Sequence, residues 1–153
     1  MYKNNFTFSI PGAKDNILAG TKVLTIRKLP AKVGKELVLR TGSRWIKSGT
    51  PGCLELIFPK GEGPICTGSW PIEIYQTHLI ETAIDTMFFL DVLGWSTPQS
   101  HDDYSPGFPS DDCDHEKLNK FAKMGGWNNS KEMFDFFKNA YGLPFDGFIN
   151  YWG

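Results

Sequence analysis

The first half of the chain consists of short runs in which apolar and polar residues alternate, separated by glycine and proline. Phe6, Phe8 and Ile10 fall on one face of a first predicted strand. Pro11 fits the first position of a short helix that ends at Gly20. Further strands are predicted over residues 22–27, 36–40, 53–58 and 65–75. Short strands with glycine between them are typical of a small β-barrel.

The last third of the chain has a helical pattern followed by one strand. Residues 129–132 have the sequence of a capping box, and apolar residues follow at the spacing of one buried helical face. The members of this predicted face are Met133, Phe136, Phe137, Ala140 and Tyr141. Gly142 and Pro144 end the helix, and residues 145–152 predict a strand that closes the sheet. The whole pattern predicts an α+β fold.

The middle of the chain, at about residues 77–113, departs from this pattern. Residues 82–85 favour the start of a helix that runs to Leu93, while residues 94–113 have the composition of a surface loop. We interpret the segment as a loop and helix insertion in a single domain of residues 1–153. Its acidic residues and His115 suggest a metal site, but their spacing matches no zinc pattern. Capping of a following helix by Asp112 or Asp114 explains them better, so we expect no metal and no cofactor.

Composition limits the possible functions. The chain has 153 residues, 41% hydrophobic and 22% charged, which is typical of one globular domain. Its 16 basic and 17 acidic residues give a net charge of -1, so contact with nucleic acid must be local. No apolar run is long enough for a membrane span or signal peptide. The odd set Cys53, Cys66 and Cys113 predicts reduced thiols and a cytoplasmic location.

Three reactive groups lie close together after Gly20. Lys22 is an amine, Thr25 a hydroxyl and Arg27 a guanidinium. Desolvation lowers the pKa of a lysine enough to make it a base, which a threonine nucleophile requires. Residues three apart on a strand face opposite sides, so Lys22 meets Thr25 only if it lies in a turn, which Gly20 favours. The alternative is that Lys22 is an exposed lysine and Thr25 an ordinary strand residue.

Two arginines are candidates for binding an anion. Arg27 shares a face with Thr25, and its guanidinium suits a phosphate or a base edge, although a salt bridge is the common alternative. Arg44 follows in a turn, where a solvated surface arginine is the alternative. Lys28 faces away from Arg27 by strand alternation and is expected to contribute less to binding. Three aromatic residues are candidates for base stacking, or else for the core: Trp45, Trp70 and Tyr75.

The spacing Gly20-x-Lys22-x-x-x-x-Arg27, with Thr25 inside it, resembles the signature of ASCH domains of phage and bacterial type, which are related to PUA RNA-binding domains. Similar segments follow at residues 37–44, 66–74, 122–127 and 141–145, so the resemblance covers about residues 4–76 and 121–152. It implies a PUA-like small β-barrel with a helix after the first strand and two helices near the C-terminus. It also implies that RNA or a modified nucleoside binds to Gly20, Lys22, Arg27 and Arg44.

The resemblance also implies an enzymatic alternative. ASCH amidohydrolases remove the acetyl group of acetylcytidine with a lysine, a threonine and a glutamate, and Lys22 and Thr25 match the first two. Gly125 stands where they carry the glutamate, so we expect poor hydrolysis or none; a substitute acid could come from Glu73 or from the acidic loop. An RNA-cleaving enzyme and a protein-interaction module remain further alternatives. The ligand and the oligomeric state are left open by the sequence.

Overall fold

The computed structural model describes residues 1–10, 12–78, 86–92 and 115–153, which form an α+β fold with two β-sheets. The predicted class is confirmed, as are a helix after the first strand and two helices before the last. The helices are α1 (Ala13–Leu18), α2 (His115–Met124) and α3 (Ser130–Ala140). The strands are β1 (Asn5–Phe8), β2 (Leu24–Arg27), β3 (Val38–Thr41), β4 (Glu55–Leu56), β5 (Gly68–His78), β6 (Thr86–Val92) and β7 (Phe145–Tyr151).

The two sheets meet at their edge strands. The smaller sheet has the order β1-β3-β4, with β1 and β3 parallel. The larger sheet is antiparallel and has the order β2-β7-β5-β6. Among the strands that the structure describes, no ladder joins the two sheets or closes them into a barrel. The edge strands β1 and β2 are connected by a side chain, because Arg27 Nη2 donates to Thr7 O at 3.0 Å.

Each sheet has its own apolar core. The alternation of Phe6 and Phe8 directs both rings from β1 into the core of the smaller sheet, which also contains Ile17 of α1. In the larger sheet one face of β2, β5 and β7 packs against α2 and α3. The fully buried side chains of this second core include Leu24, Ile72, Ile74, Phe121, Met133, Phe137, Phe145 and Ile149. The opposite face of β2 is left for polar residues.

Helix α3 begins with the predicted cap. Asn129 Oδ1 accepts a hydrogen bond from the backbone N–H of Glu132 at 2.9 Å. The Glu132 carboxylate in turn accepts from the backbone N–H of Asn128 at 3.1 Å, one residue earlier than in an ideal capping box. The first of these bonds satisfies an N–H group that the first turn of a helix leaves without a partner.

The predicted buried face of α3 is only partly right. Met133 and Phe137 are buried, together with Phe134, which the spacing did not include. Phe136 and Tyr141 are 37% and 49% exposed. Their rings reach past the edge of the larger sheet toward β1, so they help to form a cavity there.

The predicted helix over residues 82–93 is wrong for residues 86–92. These form β6, which pairs with β5 over seven residues, from His78↔Thr86 to Ile72↔Val92. The segment is rich in aromatic and β-branched residues, and the open edge of β5 offers it a ladder that local pattern does not reveal. Pro11, Asp112, Asp114, Cys113 and the remainder of the predicted insertion, residues 79–85 and 93–114, lie outside the described residues. No helix in the described part of the chain is long and apolar enough to cross a membrane.

Candidate functional site

Lys22 lies in the turn between α1 and β2. Gly20 has a φ of 79°, and the backbone N–H of Lys22 donates to Asn16 O at 3.0 Å, which folds the chain back onto α1. The next residue is held by a 2.9 Å hydrogen bond from Val23 N to Met124 O at the end of α2. Because β2 begins only at Leu24, the direction of the Lys22 side chain is not set by the alternation of side chains along the strand. Its side chain can therefore share a space with that of Thr25.

The Lys22 side chain is almost completely buried, with 3% of its surface exposed. Nζ donates hydrogen bonds to the carbonyl oxygens of Leu24, at 3.0 Å, and of Gly125. It also lies 5.0 Å from the ring centroid of Phe8 and 5.7 Å from that of Trp127. Carbonyl oxygens and aromatic faces both favour a cation, but neither replaces the hydration that an ammonium loses on burial.

Burial lowers the pKa of Lys22 to about 7, and the nearby positive charge of Arg27 contributes in the same direction. The one ion pair found in the described part of the chain, Lys14 with Glu55 at 3.1 Å, lies elsewhere. Within that part, no carboxylate therefore compensates the charge on Lys22. Near neutral pH both the ammonium and the neutral amine of Lys22 are therefore present. The neutral form can act as a base, and a bound anion would favour the ammonium form.

Arg27 connects the two sheets through its side chain. Nε donates to Thr25 Oγ1 at 3.1 Å, and Nη2 donates across to the carbonyl oxygen of Thr7 on β1 at 3.0 Å. The guanidinium carbon also lies 5.7 Å and 5.3 Å from the ring centroids of Phe6 and Phe8. Burial lowers the pKa of Arg27. The salt bridge considered as its alternative is not found within the described residues.

Lys22, Thr25 and Arg27 converge on one small cavity, as a turn position for Lys22 would allow. This inner cavity has a volume of about 50 Å³, enough for a water molecule or a small substituent. Thr25 is 4% exposed and lines this cavity. The other lining residues are Thr7, Phe8, Ser9, Ile10, Ile26, Trp127, Phe136 and Tyr141.

A larger, open depression adjoins the inner cavity. This basic groove has a volume of about 400 Å³ and shares Thr7, Arg27 and Tyr141 with the cavity. Its lining residues are Lys3, Asn5, Phe6, Thr7, Arg27, Lys28, Leu29 and Tyr141, with no acidic side chain among them. Three cations and an exposed phenol ring therefore surround its floor.

Lys28 lines the same groove as Arg27, but its ammonium lies against Phe145 on the helix-packed face of the larger sheet, whereas Arg27 lies on the face of Thr25, as strand alternation predicts. Lys28 Nζ donates to Asp146 O at 3.2 Å and lies 4.3 Å from the ring centroid of Phe145. The lysine is thereby held at the rim of the groove.

Glu73 is not brought to the cavity. In the larger sheet Thr25 is opposite Asn150, which is opposite Ser69, and Glu73 lies four residues further along β5. Two strand spacings and four residues separate the Cα atoms of Thr25 and Glu73 by roughly 17 Å. Glu73 lines neither the inner cavity nor the basic groove. The geometry therefore gives no support to Glu73 as the substitute acid.

Gly20 and Arg44 also lie outside the two cavities. Gly20 is exposed and makes the turn that positions Lys22, so its contribution is conformational. Arg44 is exposed in the turn after β3, where its guanidinium carbon lies 4.9 Å from the ring centroid of Trp45. The structure separates Arg44 from Arg27, contrary to the expectation of one shared cleft.

The Gly125–Gly126 turn shapes the space around Lys22. A Cβ at Gly125 would lie 2.5 Å from Trp127 Cζ3, so a glutamate there would displace the tryptophan ring. Gly126 has a φ of 96°, and a Cβ on it would lie 3.1 Å from Lys22 Cδ. At Gly125 the chain thus presents a backbone carbonyl to the lysine.

Sequence reasoning missed several residues of the site. Trp127 and Tyr141 line the inner cavity, and Asn150 is a fully buried polar residue behind it. Tyr141 was assigned to the buried face of α3 because its spacing fits that face, but it follows the helix and is 49% exposed. Of the proposed stacking residues, Trp70 packs on the core of the larger sheet, and Trp45 is 84% exposed. The side chain of Tyr75 lies outside the described residues.

Comparison of the chain with protein-family models, curated proteins and solved structures found no match. The inner cavity and the basic groove, with the motif residues that they contain, are therefore the structural evidence that bears on function.

Proposed function

We propose that this protein is an ASCH-like RNA-binding domain that takes single-stranded RNA or a modified nucleoside into the basic groove. The observation that carries the proposal is the position of Arg27. It lies where the groove meets the inner cavity, held by Thr25 and Thr7 and without a carboxylate partner in the described part of the chain. An arginine prepared in this way is a site for an anion.

The geometry of Arg27 suits a phosphate oxygen pair or a base edge. A guanidinium has five N–H donors, and two hydrogen bonds from it are made within the described residues. The contacts with Phe6 and Phe8 restrict the side chain, which lowers the entropy lost when a ligand binds. Lys3 and Lys28 add positive charge to the same groove. The local field is basic although the whole chain is nearly neutral.

The sizes of the two spaces indicate how a nucleotide would be divided between them. A volume of about 400 Å³ lies in the range of small-molecule sites, so the basic groove accommodates a nucleotide. Tyr141 is 49% exposed there and offers a ring on which a base can stack. The inner cavity, at about 50 Å³, admits only a small group of the ligand or water.

The proposal includes a PUA-like barrel as the framework. The two sheets would be its halves, with β1 and β2 as the facing edges. The 3.0 Å hydrogen bond from Arg27 Nη2 to Thr7 O supports this arrangement, because it joins these edges through a side chain. A binding residue would then also hold the two halves of the fold together.

The test is fluorescence anisotropy with a labelled single-stranded RNA octamer at low salt. Lys28→Gln is the informative variant, since Lys28 lines the groove and makes only one long backbone hydrogen bond within the described residues. Lys131→Gln on the exposed surface of α3 is the matched control. We expect Lys28→Gln to weaken binding severalfold and Lys131→Gln to leave it unchanged. Absence of binding by the unaltered protein, or equal effects of both variants, would contradict the proposal.

Hydrolysis of an amide is a second candidate, favoured by one observation: Lys22, with a pKa of about 7, lines the same cavity as the Thr25 hydroxyl. A neutral Lys22 can accept the threonine proton. The carbonyl oxygens that hold Lys22 cannot act as acids, however, and no carboxylate is among the lining residues. We therefore expect little or no turnover of acetylcytidine. Turnover that Lys22→Ala abolishes would favour the enzyme over the binding domain.

A further inference from the structure

A third depression continues the path of the first two. This turn groove has a volume of about 410 Å³ and shares Phe8, Ser9 and Ile10 with the inner cavity. Its far side is lined by Thr41 and Ser43, at the end of β3. The basic groove, the inner cavity and the turn groove therefore follow one another along β1 and the residues after it, over roughly 17 Å from Asn5 to Ile10.

An exposed tryptophan lies two residues after Ser43, which lines the turn groove. Ser43 begins a tight turn in which Ile46 N donates to Ser43 O at 3.2 Å and Trp45 N donates to Ser43 Oγ at 3.2 Å. The turn is supported from below by Ile46, whose Cδ1 packs close to Gly52. Trp45 is left 84% exposed, with the Arg44 guanidinium over its ring. A large aromatic surface held out by a supported turn has no role in either core.

We propose that one RNA strand runs along this path, with a phosphate at Arg27 and a base stacked on Trp45. The inference rests on the proposed function and specifies its ligand as a short single strand rather than a mononucleotide. Base stacking on an exposed aromatic ring contributes about 1–3 kcal/mol and tolerates any base. Single-stranded sites on small barrels cover at least about four nucleotides, which fits a path of this length.

The charges along the path predict different forces at its two ends. The basic groove holds Lys3, Arg27 and Lys28 and attracts phosphates. At the turn groove Lys14 is paired with Glu55 at 3.1 Å, and the negative charge of Asp15 opposes the positive charge of Arg44 over the Trp45 ring, so a base would be held there mainly by the ring. A change at Trp45 should therefore alter affinity without altering its salt dependence, whereas a change at Lys28 should alter both.

The experiment measures the affinity of the full chain for unlabelled oligouridylates of two, four and eight nucleotides, by competition with a labelled octamer. We expect affinity to rise from the dimer to the octamer. Trp45→Ala should weaken octamer binding by about five- to a hundredfold and leave dimer binding unchanged. Trp45→Phe, which keeps a ring, should stay near the unaltered protein. Because Trp45 is exposed, its removal should leave the fold intact, which circular dichroism checks.

Two results would overturn the inference and are distinguishable from each other. If Trp45→Ala binds the octamer as well as the unaltered protein does while Lys28→Gln still weakens binding, the path to Trp45 is wrong and the proposed function stands. If the unaltered protein binds no oligouridylate at low salt, the proposed function fails and this inference fails with it.

Discussion

Lys22 is buried beside a second cation, and the atoms around its Nζ are carbonyl oxygens and ring carbons. Its pKa is lowered from 10.5 to about 7, so the unfolded chain binds more protons than the folded one between these two values. Stability must then rise with pH through this window. The contribution of this titration to the free energy of unfolding is fully present above pH 10.5 and is lost as the pH falls to 7.

This linkage can be measured by urea denaturation at pH 7, 8 and 9 on the unaltered protein and on Lys22→Met. The difference in unfolding free energy between the two should change by up to about 1.4 kcal/mol per pH unit, in favour of the unaltered protein as the pH rises. Burial raises the pKa of the Cys66 thiol, which acts in the opposite sense at high pH but is common to both proteins. Parallel curves would show that Lys22 keeps an ordinary pKa.

Binding should show the opposite pH dependence at the same residue. A phosphate at Arg27 favours the ammonium form of Lys22, because both cations line the inner cavity. RNA affinity should therefore fall severalfold between pH 6 and pH 8.5, measured with an oligomer that has no terminal phosphate. Lys22→Met should remove most of this dependence. An equally steep fall in Lys22→Met would assign the titration to another group.

At the scale of elements, the sequence predicted the features that depend on interactions between residues close together in the chain. The alternation of Phe6 and Phe8 predicted β1, and the Asn129 cap predicted the start of α3. Strand β6 was missed because its partner is an edge made by β5, which a window on the sequence cannot contain. For the cavity near Lys22, the sequence predicted only that a turn at Gly20 would let Lys22 and Thr25 share a space. Trp127 reaches it from the turn between α2 and α3, about a hundred residues away along the chain, and no local pattern records that approach.

Asn150 was also missed, because its partners lie far away along the chain. It holds the segment that follows β2, the strand that carries Thr25 and Arg27. Its side chain accepts from Ala31 N at 2.7 Å and donates to Leu29 O at 3.3 Å, which fixes the segment after β2. Asn150→Ala leaves the buried Ala31 N–H without this partner and should cost about 1–3 kcal/mol of unfolding free energy. Asn139→Ala, on the exposed surface of α3, is the control and should change stability little. A loss at Asn150 below about 0.5 kcal/mol would mean that the segment is held by other contacts.

The whole molecule carries a net charge of -1, while the basic groove holds Lys3, Arg27 and Lys28 with no acidic lining residue. Binding should therefore depend on salt through these few cations and not through a broad basic surface. For three or four single-strand phosphate contacts the slope of log affinity against log salt should be about -2 to -3. Lys28→Gln should reduce its magnitude by about 0.7, and Lys131→Gln should leave it unchanged. A much steeper slope in the unaltered protein would place the main RNA contact on a different surface, since three cations cannot release that many counterions.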